Sequence, residues 1–317
     1  MNNTFQATAE EWLLNKSLSV KDSTLACYNG ILNRYLIPAF GGTDIAEITL
    51  KDVQHFLTSH SCKNLAEPGS ENLSGSTIAC ILTVLKSVMT YARNQKDICI
   101  CELTSINIRH GRSQARSLDR HEQNVLTENL LDNSSNINIG ILLCLYGGLR
   151  IGEICALKWE DISCDCKYIN ICRTMQRVQI PNAKKGERRT RIIIEQPKSV
   201  YSIRQIPIPD ILANKLSEVR SADYTYVLTG TQKYIEPRTM ENHIYRSLKK
   251  CGINNASAHT LRHSYATRSI EMGTDMKTVS ELMGHSSVKV TMDIYFHSSM
   301  ELKLSNSQKL NKLLAIK

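Results

Sequence analysis

The sequence predicts a mainly α-helical protein with a small antiparallel β-sheet, an α+β arrangement in two domains. Three observations carry this. Apolar residues recur at three- and four-residue spacing through most of residues 5–95. The period changes to two between Lys167 and Pro209, where KYINICRTMQRV, RTRIIIEQ and YSIRQIPIP alternate or run β-branched. Helical spacing then returns and lasts to Tyr295. At 317 residues the chain is also longer than one ordinary core supports.

The first domain reads as about four helices. FQATAEEWLLN (5–15) is a short one with Phe5, Trp12 and Leu13 on its apolar side. Ser23 is placed to cap a second, in which Leu25, Tyr28, Ile31, Leu32 and Tyr35 share a stripe, and Pro38 with Gly41-Gly42 should end it. Thr49 caps a third, with Asp52 in its first turn. Residues 61–75 form a polar loop, and Ser76 starts a long helix carrying Ile78, Ile81, Leu82, Leu85, Val88, Met89 and Tyr91. None of these helices shows a catalytic constellation. Residues 98–118 are polar and basic, with Arg109, His110, Arg112 and Arg116, and read as an interdomain linker. A linker that touches a polyanion and an ordinary solvated one share this composition.

The second domain opens with the helix of DRHEQNVLTENLL, followed by the apolar INIGILLCLY, which Gly147-Gly148 ends. LRIGEICALKW comes next. Arg150 and Glu153 are i,i+3 neighbours, so a helix would put them on one face. Such a pair is more often a surface ion pair than a site. In the β region, Lys198 lies in the turn QPKSVYS between the second and third strands, and PNAKKGERR is an inserted loop between the first two. PDILANKLSEVR and residues 238–250 are helices, with the short buried TYVLTG between them. A helix beginning at His259 sets His259 and Arg262 one turn apart. Gly284 caps TVSELM, leaving His285 just past a helix end, and Tyr295 lies near the end of the next helix.

Net charge is +9, unevenly spread. Residues 1–110 hold nine basic and ten acidic side chains, whereas Arg173 to Arg204 hold nine basic and two acidic. A localised excess suits a polyanion, nucleic acid being the commonest, although a solvated basic face has the same composition. No stretch reads as a run of the ~20 apolar residues of a membrane helix, and MNNTFQATAEEW lacks the features of a secretory signal. A cytoplasmic protein with no membrane partner is therefore expected. The eleven scattered cysteines are expected to be reduced thiols. The pairs Cys99/Cys101 and Cys164/Cys166 lack zinc-site spacing, so neither metal nor cofactor is expected.

Taken together, two arginines, two histidines, a lysine, a glutamate and a tyrosine fit metal-independent phosphoryl transfer. Guanidinium groups match phosphate oxygens bidentately and counter the charge of a pentacoordinate transition state. A histidine or lysine moves protons, and a tyrosine forms a phosphoester. GGLRIGEICAL, QPKSVYSIRQIPIP, AHTLRHSYAT, LMGHSS and TMDIYFH, in this order, resemble the successive motifs of the tyrosine recombinases, the family of phage and conjugative-transposon integrases and Xer proteins. The resemblance covers nearly the whole chain.

The resemblance implies a helical core-binding domain (1–107), a basic linker (108–118), a catalytic domain (119–297) and a C-terminal tail helix (298–317). Arg150 and Arg262 would bind the scissile phosphate, with Glu153 supporting the first. His259 would be a general acid/base, His285 would hydrogen-bond the phosphate, and Lys198 would protonate the leaving 5′-oxygen, with Lys184 and Lys185 as competitors. Tyr295 would be the nucleophile of a DNA integrase that works through a 3′-phosphotyrosyl link and a Holliday junction, for integration or excision of a mobile element. Expected DNA contacts are Arg109, Arg112, Arg116, Arg173, Arg177, Lys184, Lys185, Arg188 and Arg189. Expected partners are double-stranded DNA with core recombination sites and, on DNA, three further copies in a homotetramer, the free protein being monomeric. An accessory directionality or host DNA-bending protein would complete the set. Leu310, Leu313 and Leu314 share one face of the tail, which would dock either on its own domain or on a neighbouring subunit. Helices starting near residue 5 leave no room for an arm-site domain, as in a recombinase of core sites alone or a chain trimmed at its start. A type IB topoisomerase and a non-catalytic DNA-binding regulator are the alternatives.

Overall fold

The computed structural model describes residues 3–61, 73–106, 108, 116–133, 135–180, 188–197, 200–295 and 307, and leaves the side chains of residues 200, 290 and 293–295 undescribed. Backbone contacts divide the chain into two compact units. One comprises residues 1–113 and 178–191, the other residues 114–177 and 192–317.

The first unit is helical. α1 (Phe5–Ser17) is capped by Thr4, and α2 (Asp22–Ile31) begins after Lys21, so Ser23 lies inside the helix rather than at its cap. A π-helical turn over Leu32–Leu36 leads directly into α3 (Ile37–Phe40). Pro38 therefore does not end the helix. It sits in the first turn of α3, directly after the widened π-helical turn. α4 (Leu50–Ser59) starts at the expected Thr49 cap, where Thr49 and Asp52 form a capping box. α5 (Gly75–Lys96) is capped by Ser74, two residues before the expected start.

Phe5, Trp12, Leu36, Ile45, Ile48, Val53, Ile81, Leu85 and Met89 build one core. The indole of Trp12 donates to Ser87 Oγ (3.1 Å). Contrary to the sequence expectation, α5 is long and apolar enough to cross a membrane. Its apolar stripe is spent instead on this core, where Ile78, Ile81, Leu82, Val84, Leu85, Val88, Met89 and Ala92 are buried.

In the second unit α6 (Arg120–Asp132) carries an Asp119/Glu122 capping box. α7 (Asn136–Tyr146) is apolar on every side and is buried from Ile139 through Leu145, as a central helix must be. Around it pack α8 (Ile151–Ala156), α9 (Asp210–Glu218), α10 (Pro237–Lys250) and α11 (Ala258–Glu271), with Trp159, Ile169, Ile206 and Leu261 in the same core. α12 (Met276–Met283) packs on α11 through Ala266, Ile270, Val279 and Met283, and α13 (Val288–Tyr295) follows.

The β region departs from the expected three strands. β1 (Tyr168–Ile171) and β2 (Thr174–Gln179) divide what reads as one strand. At the break Arg173 donates to both oxygens of Asp161 (2.6 and 2.7 Å), and the Cys172 thiol also faces that carboxylate (3.1 Å), so the backbone leaves the ladder there. β2 pairs with β3 (Thr190–Glu195), while β1 pairs antiparallel with β4 (Arg204–Pro207), Ile169 opposite Ile206. Those two isoleucines fix the register, because both are fully buried.

Candidate active site

The site begins where α7 stops. Gly148 takes a left-handed conformation (φ +63°), and a Cβ there would lie 2.5 Å from the Tyr265 ring. Both constraints require glycine. The turn delivers Arg150 to the start of α8 as its N-cap residue rather than as a residue within the helix. Glu153, in the first turn, reaches back. Its Oε2 accepts from the Arg150 backbone N–H (2.9 Å) and its Oε1 from Arg150 Nη1 (2.7 Å). The expected pair thus forms, by capping geometry.

Glu153 is 2 % exposed, which would ordinarily push a carboxyl's pKa up. Burial is the largest influence on it. The hydrogen bonds and charge of Arg204, followed by those of Arg150, more than offset it and hold the group at about 2. Arg204 comes from β4 and closes on Glu153 bidentately (2.9 and 2.9 Å).

The far end of the site is the C-terminus of α12. Gly284 ends the helix in the left-handed region (φ +61°), and the His285 N–H returns to Ser280 O (3.0 Å). The last carbonyls of a helix lack partners within it and favour cations. Here three arginines meet three consecutive carbonyls. Arg204 Nε donates to Leu282 O (2.6 Å), Arg262 Nη2 to Met283 O, and Arg150 Nη2 to Gly284 O (2.8 Å). Arg262, on α11 and 6 % exposed, also donates through Nη1 to Gly148 O. Arg150 is 37 % exposed, so part of its guanidinium faces solvent.

His285 therefore emerges beside Arg150 and Arg262. Burial first, then the charges of Arg262 and Arg150, hold its imidazole down at about 4, neutral at physiological pH. Its Nδ1 lies 2.8 Å from Thr291 Oγ1 on α13. With the proton on Nε2, Nδ1 accepts from that hydroxyl and Nε2–H is available to a ligand. His263, beside Arg262, is likewise pushed down, by burial and then by His259 and Arg262. His259 lies exposed in the first turn of α11, on the rim of a surface pocket of about 480 Å³ that it shares with Arg238, Glu241 and Tyr245 of α10.

A model of the phage integrase family matches residues 116–301, and one of the N-terminal SAM-like domain of phage integrases matches residues 4–60. The chain belongs to the phage integrase family. The resemblance to tyrosine recombinases read from the five motifs is thereby borne out. A tyrosine recombinase of Thermosipho africanus is 27 % identical over 301 residues, 91 % of this chain and 93 % of that protein. A XerC-like tyrosine recombinase of Caldanaerobacter subterraneus is 34 % identical over 189 residues, 54 % of this chain, and that match spans 48 % of the relative's length. Among solved structures, the Tn1549 transposon integrase in complex with a circular intermediate DNA has the same fold, with a TM-score of 0.75 at 17 % identity over 97 % of this chain and 99 % of that one. A lambda integrase bound to a core site gives 0.67 at 16 % identity, over 90 % and 97 %.

Within this integrase-family chain, Arg150, Glu153, Arg262 and His285 come together around the C-terminus of α12, and His259 lies one turn before Arg262. Tyr295 closes α13, and its side chain lies outside the described residues. Lys198, Arg109, Arg112, Lys184 and Lys185 also lie outside them, as does the tail with Leu310, Leu313 and Leu314.

The remaining basic candidates divide. Arg188 and Arg189 are exposed. Arg116 pairs with Glu122 (2.6 Å), Arg173 with Asp161 (2.6 Å) and Glu160 (2.7 Å), and Arg177 with Glu236 (2.5 Å), so each of these three already has a carboxylate partner. Sequence reasoning missed Arg204 and Thr291. An arginine alternating within a basic strand, and a threonine on a helix, give no local sign of partners 51 and 6 residues away.

Proposed function

We propose that this chain is a site-specific DNA recombinase that cuts and rejoins strands through a 3′-phosphotyrosyl intermediate on Tyr295. The observation that carries the reading is the convergence of Arg150, Arg262 and neutral His285 at one helix end, ten residues before Tyr295. Arg150 and Arg262 grip the non-bridging oxygens of the scissile phosphate, and His285 Nε2–H adds a third donor. His259 takes the Tyr295 proton as its oxygen attacks phosphorus. The bond from phosphorus to the 5′-oxygen breaks, and Lys198 protonates the departing oxygen. The phosphotyrosyl ester keeps the bond energy, so attack by the 5′-hydroxyl of a partner strand completes exchange with neither ATP nor metal.

In this reading residues 1–107 form a core-binding domain, 108–118 a basic linker, 119–297 the catalytic domain, and 298–317 a tail helix that docks on another subunit. Arg188 and Arg189, with Arg109 and Arg112 of the linker and Lys184 and Lys185 between β2 and β3, contact the DNA backbone. The solved relatives support DNA as the partner and a tetramer as the working assembly. The Tn1549 integrase is described with transposon right end DNA, and a lambda integrase tetramer is described bound to a Holliday junction. Work on a bacterial or phage mobile element sets the protein in the cytoplasm, with accessory DNA-bending or directionality proteins as further partners. The test maps repeats in the DNA flanking the gene and incubates a supercoiled plasmid carrying two copies of the mapped repeat in EDTA without ATP. Joined recombinant circles are expected. Relaxation of any supercoiled plasmid with no joining of sites contradicts the reading and points to a type IB topoisomerase.

A further inference from the structure

We propose that Arg204 is a positioning residue for strand cleavage, joining Glu153 to the C-terminus of α12 so that Arg150 and His285 are both preset. The inference rests on the strand-cleaving reading of this site.

The Arg204 side chain is 6 % exposed and its donors reach three separate elements. Nη1 and Nη2 take the two oxygens of Glu153 on α8, Nε takes Leu282 O on α12, and Nη1 also reaches Ser202 O just before β4 (3.1 Å). A guanidinium so enclosed has little left to offer a phosphate. Its effect must pass through what it holds.

Two such paths lead to the site. In the first, Glu153 Oε1 is shared between Arg204 Nη1 and Arg150 Nη1, and Oε2 between Arg204 Nη2 and the Arg150 backbone N–H. By fixing both oxygens, Arg204 sets the plane of the carboxylate, and that plane aims the Arg150 fork. In the second, Leu282 O is three residues before His285. Arg204 stands so close to the helix end that a Cβ on Gly284 would meet its Nη1 at 3.0 Å and its Cδ at 3.1 Å. The fork matters as much as the charge. A lysine carries one compact ammonium and cannot span both carboxylate oxygens and a carbonyl at once.

A residue that merely stabilises the fold would change how much protein is folded, without changing how the folded enzyme responds to pH. Positioning through Glu153 makes a sharper demand. Without Arg204 the carboxylate keeps its burial and loses its main partner, so it would take up a proton nearer neutrality and release Arg150.

The experiment uses full-length Arg204→Met and Arg204→Lys on a nicked suicide duplex bearing the recombination site mapped from the DNA flanking the gene. It records the rate of covalent adduct formation at saturating protein, the Kd for the duplex, and the rate from pH 5 to 9. For Arg204→Met a fall of about 100-fold in rate is expected, with Kd within threefold of wild type and partial recovery in Arg204→Lys. Its rate should also fall on the acid side where wild type does not, and adding Glu153→Gln should abolish that acid limb. A rate within threefold of wild type, or a pH profile parallel to wild type, overturns the proposal. If circular dichroism shows Arg204→Met unfolded, Arg204→Lys carries the same pH criterion. If wild type forms no adduct, the strand-cleaving reading falls and this proposal with it. Adduct in wild type with an unaffected Arg204→Met removes the positioning role alone.

Discussion

Replacing Glu153 by alanine removes the carboxylate on which Arg150 and Arg204 both close. Arg150 can turn its head to water, being 37 % exposed, but Arg204 at 6 % cannot. Deleting one partner of a buried pair costs about 3–5 kcal/mol, because the other charge is left uncompensated. An independent route gives a similar figure. A carboxyl held at about 2 instead of 4.5 contributes roughly 3 kcal/mol of folding free energy at neutral pH.

With a urea slope of about 2–3 kcal/mol per M for a unit of this size, the midpoint should fall by roughly 1–2 M. The assay is urea unfolding followed by the fluorescence of fully buried Trp159, with Trp12→Phe in both proteins so that only the second unit reports. The pH dependence carries a definite sign. The native carboxyl titrates below its unfolded value, so its stabilisation is present above about pH 4.5 and is lost as pH falls from there toward 2. The wild-type margin over Glu153→Ala should follow that curve. A midpoint shift below about 0.3 M, or a margin constant down to pH 3, would refute the reasoning.

Gly148→Ala should cost about 2–4 kcal/mol in thermal unfolding, from the left-handed backbone together with the 2.5 Å approach to Tyr265; a loss below 1 kcal/mol contradicts this account of the turn. Thr291→Val keeps the shape of a fully buried side chain while taking the hydroxyl from His285 Nδ1, so adduct formation should slow by about tenfold with Kd unchanged. An unaltered rate would remove Thr291 from the site. DNA binding should weaken by roughly 10³-fold between 50 and 200 mM salt as phosphate contacts release counterions, and a flat response would count against backbone contacts as the source of affinity.

Features written in local chemistry were legible in the sequence. The Thr49/Asp52 capping box, the Gly284 cap that leaves His285 past a helix end, and the α7 stop at Gly147-Gly148 each follow from a few adjacent residues. Pro38 misled, because a proline reads as a helix end, whereas here the chain passes from a π-helical turn into α3 across it. The strand break at Cys172-Arg173 depends on Asp161, eleven and twelve residues away, which no alternation pattern contains. The site divides along the same line. Arg150, Glu153, Arg262 and His285 stand in recognisable motifs, but what aims them is nonlocal. Gly284 O is 134 residues from Arg150, and Leu282 O is 78 from Arg204. Arg204 thus looked like one more charge in a basic strand until the fold brought Glu153 to it.

In the proposed reaction Tyr295 becomes covalently joined to a DNA 3′-phosphate. The most direct measurement incubates the full-length protein in EDTA with a nicked suicide duplex labelled at the 5′ end of its scissile strand, then resolves it in SDS. An SDS-resistant adduct is expected that maps to the Tyr295 peptide and is abolished by Tyr295→Phe. An adduct that persists in Tyr295→Phe, or one carried by another residue, would contradict it.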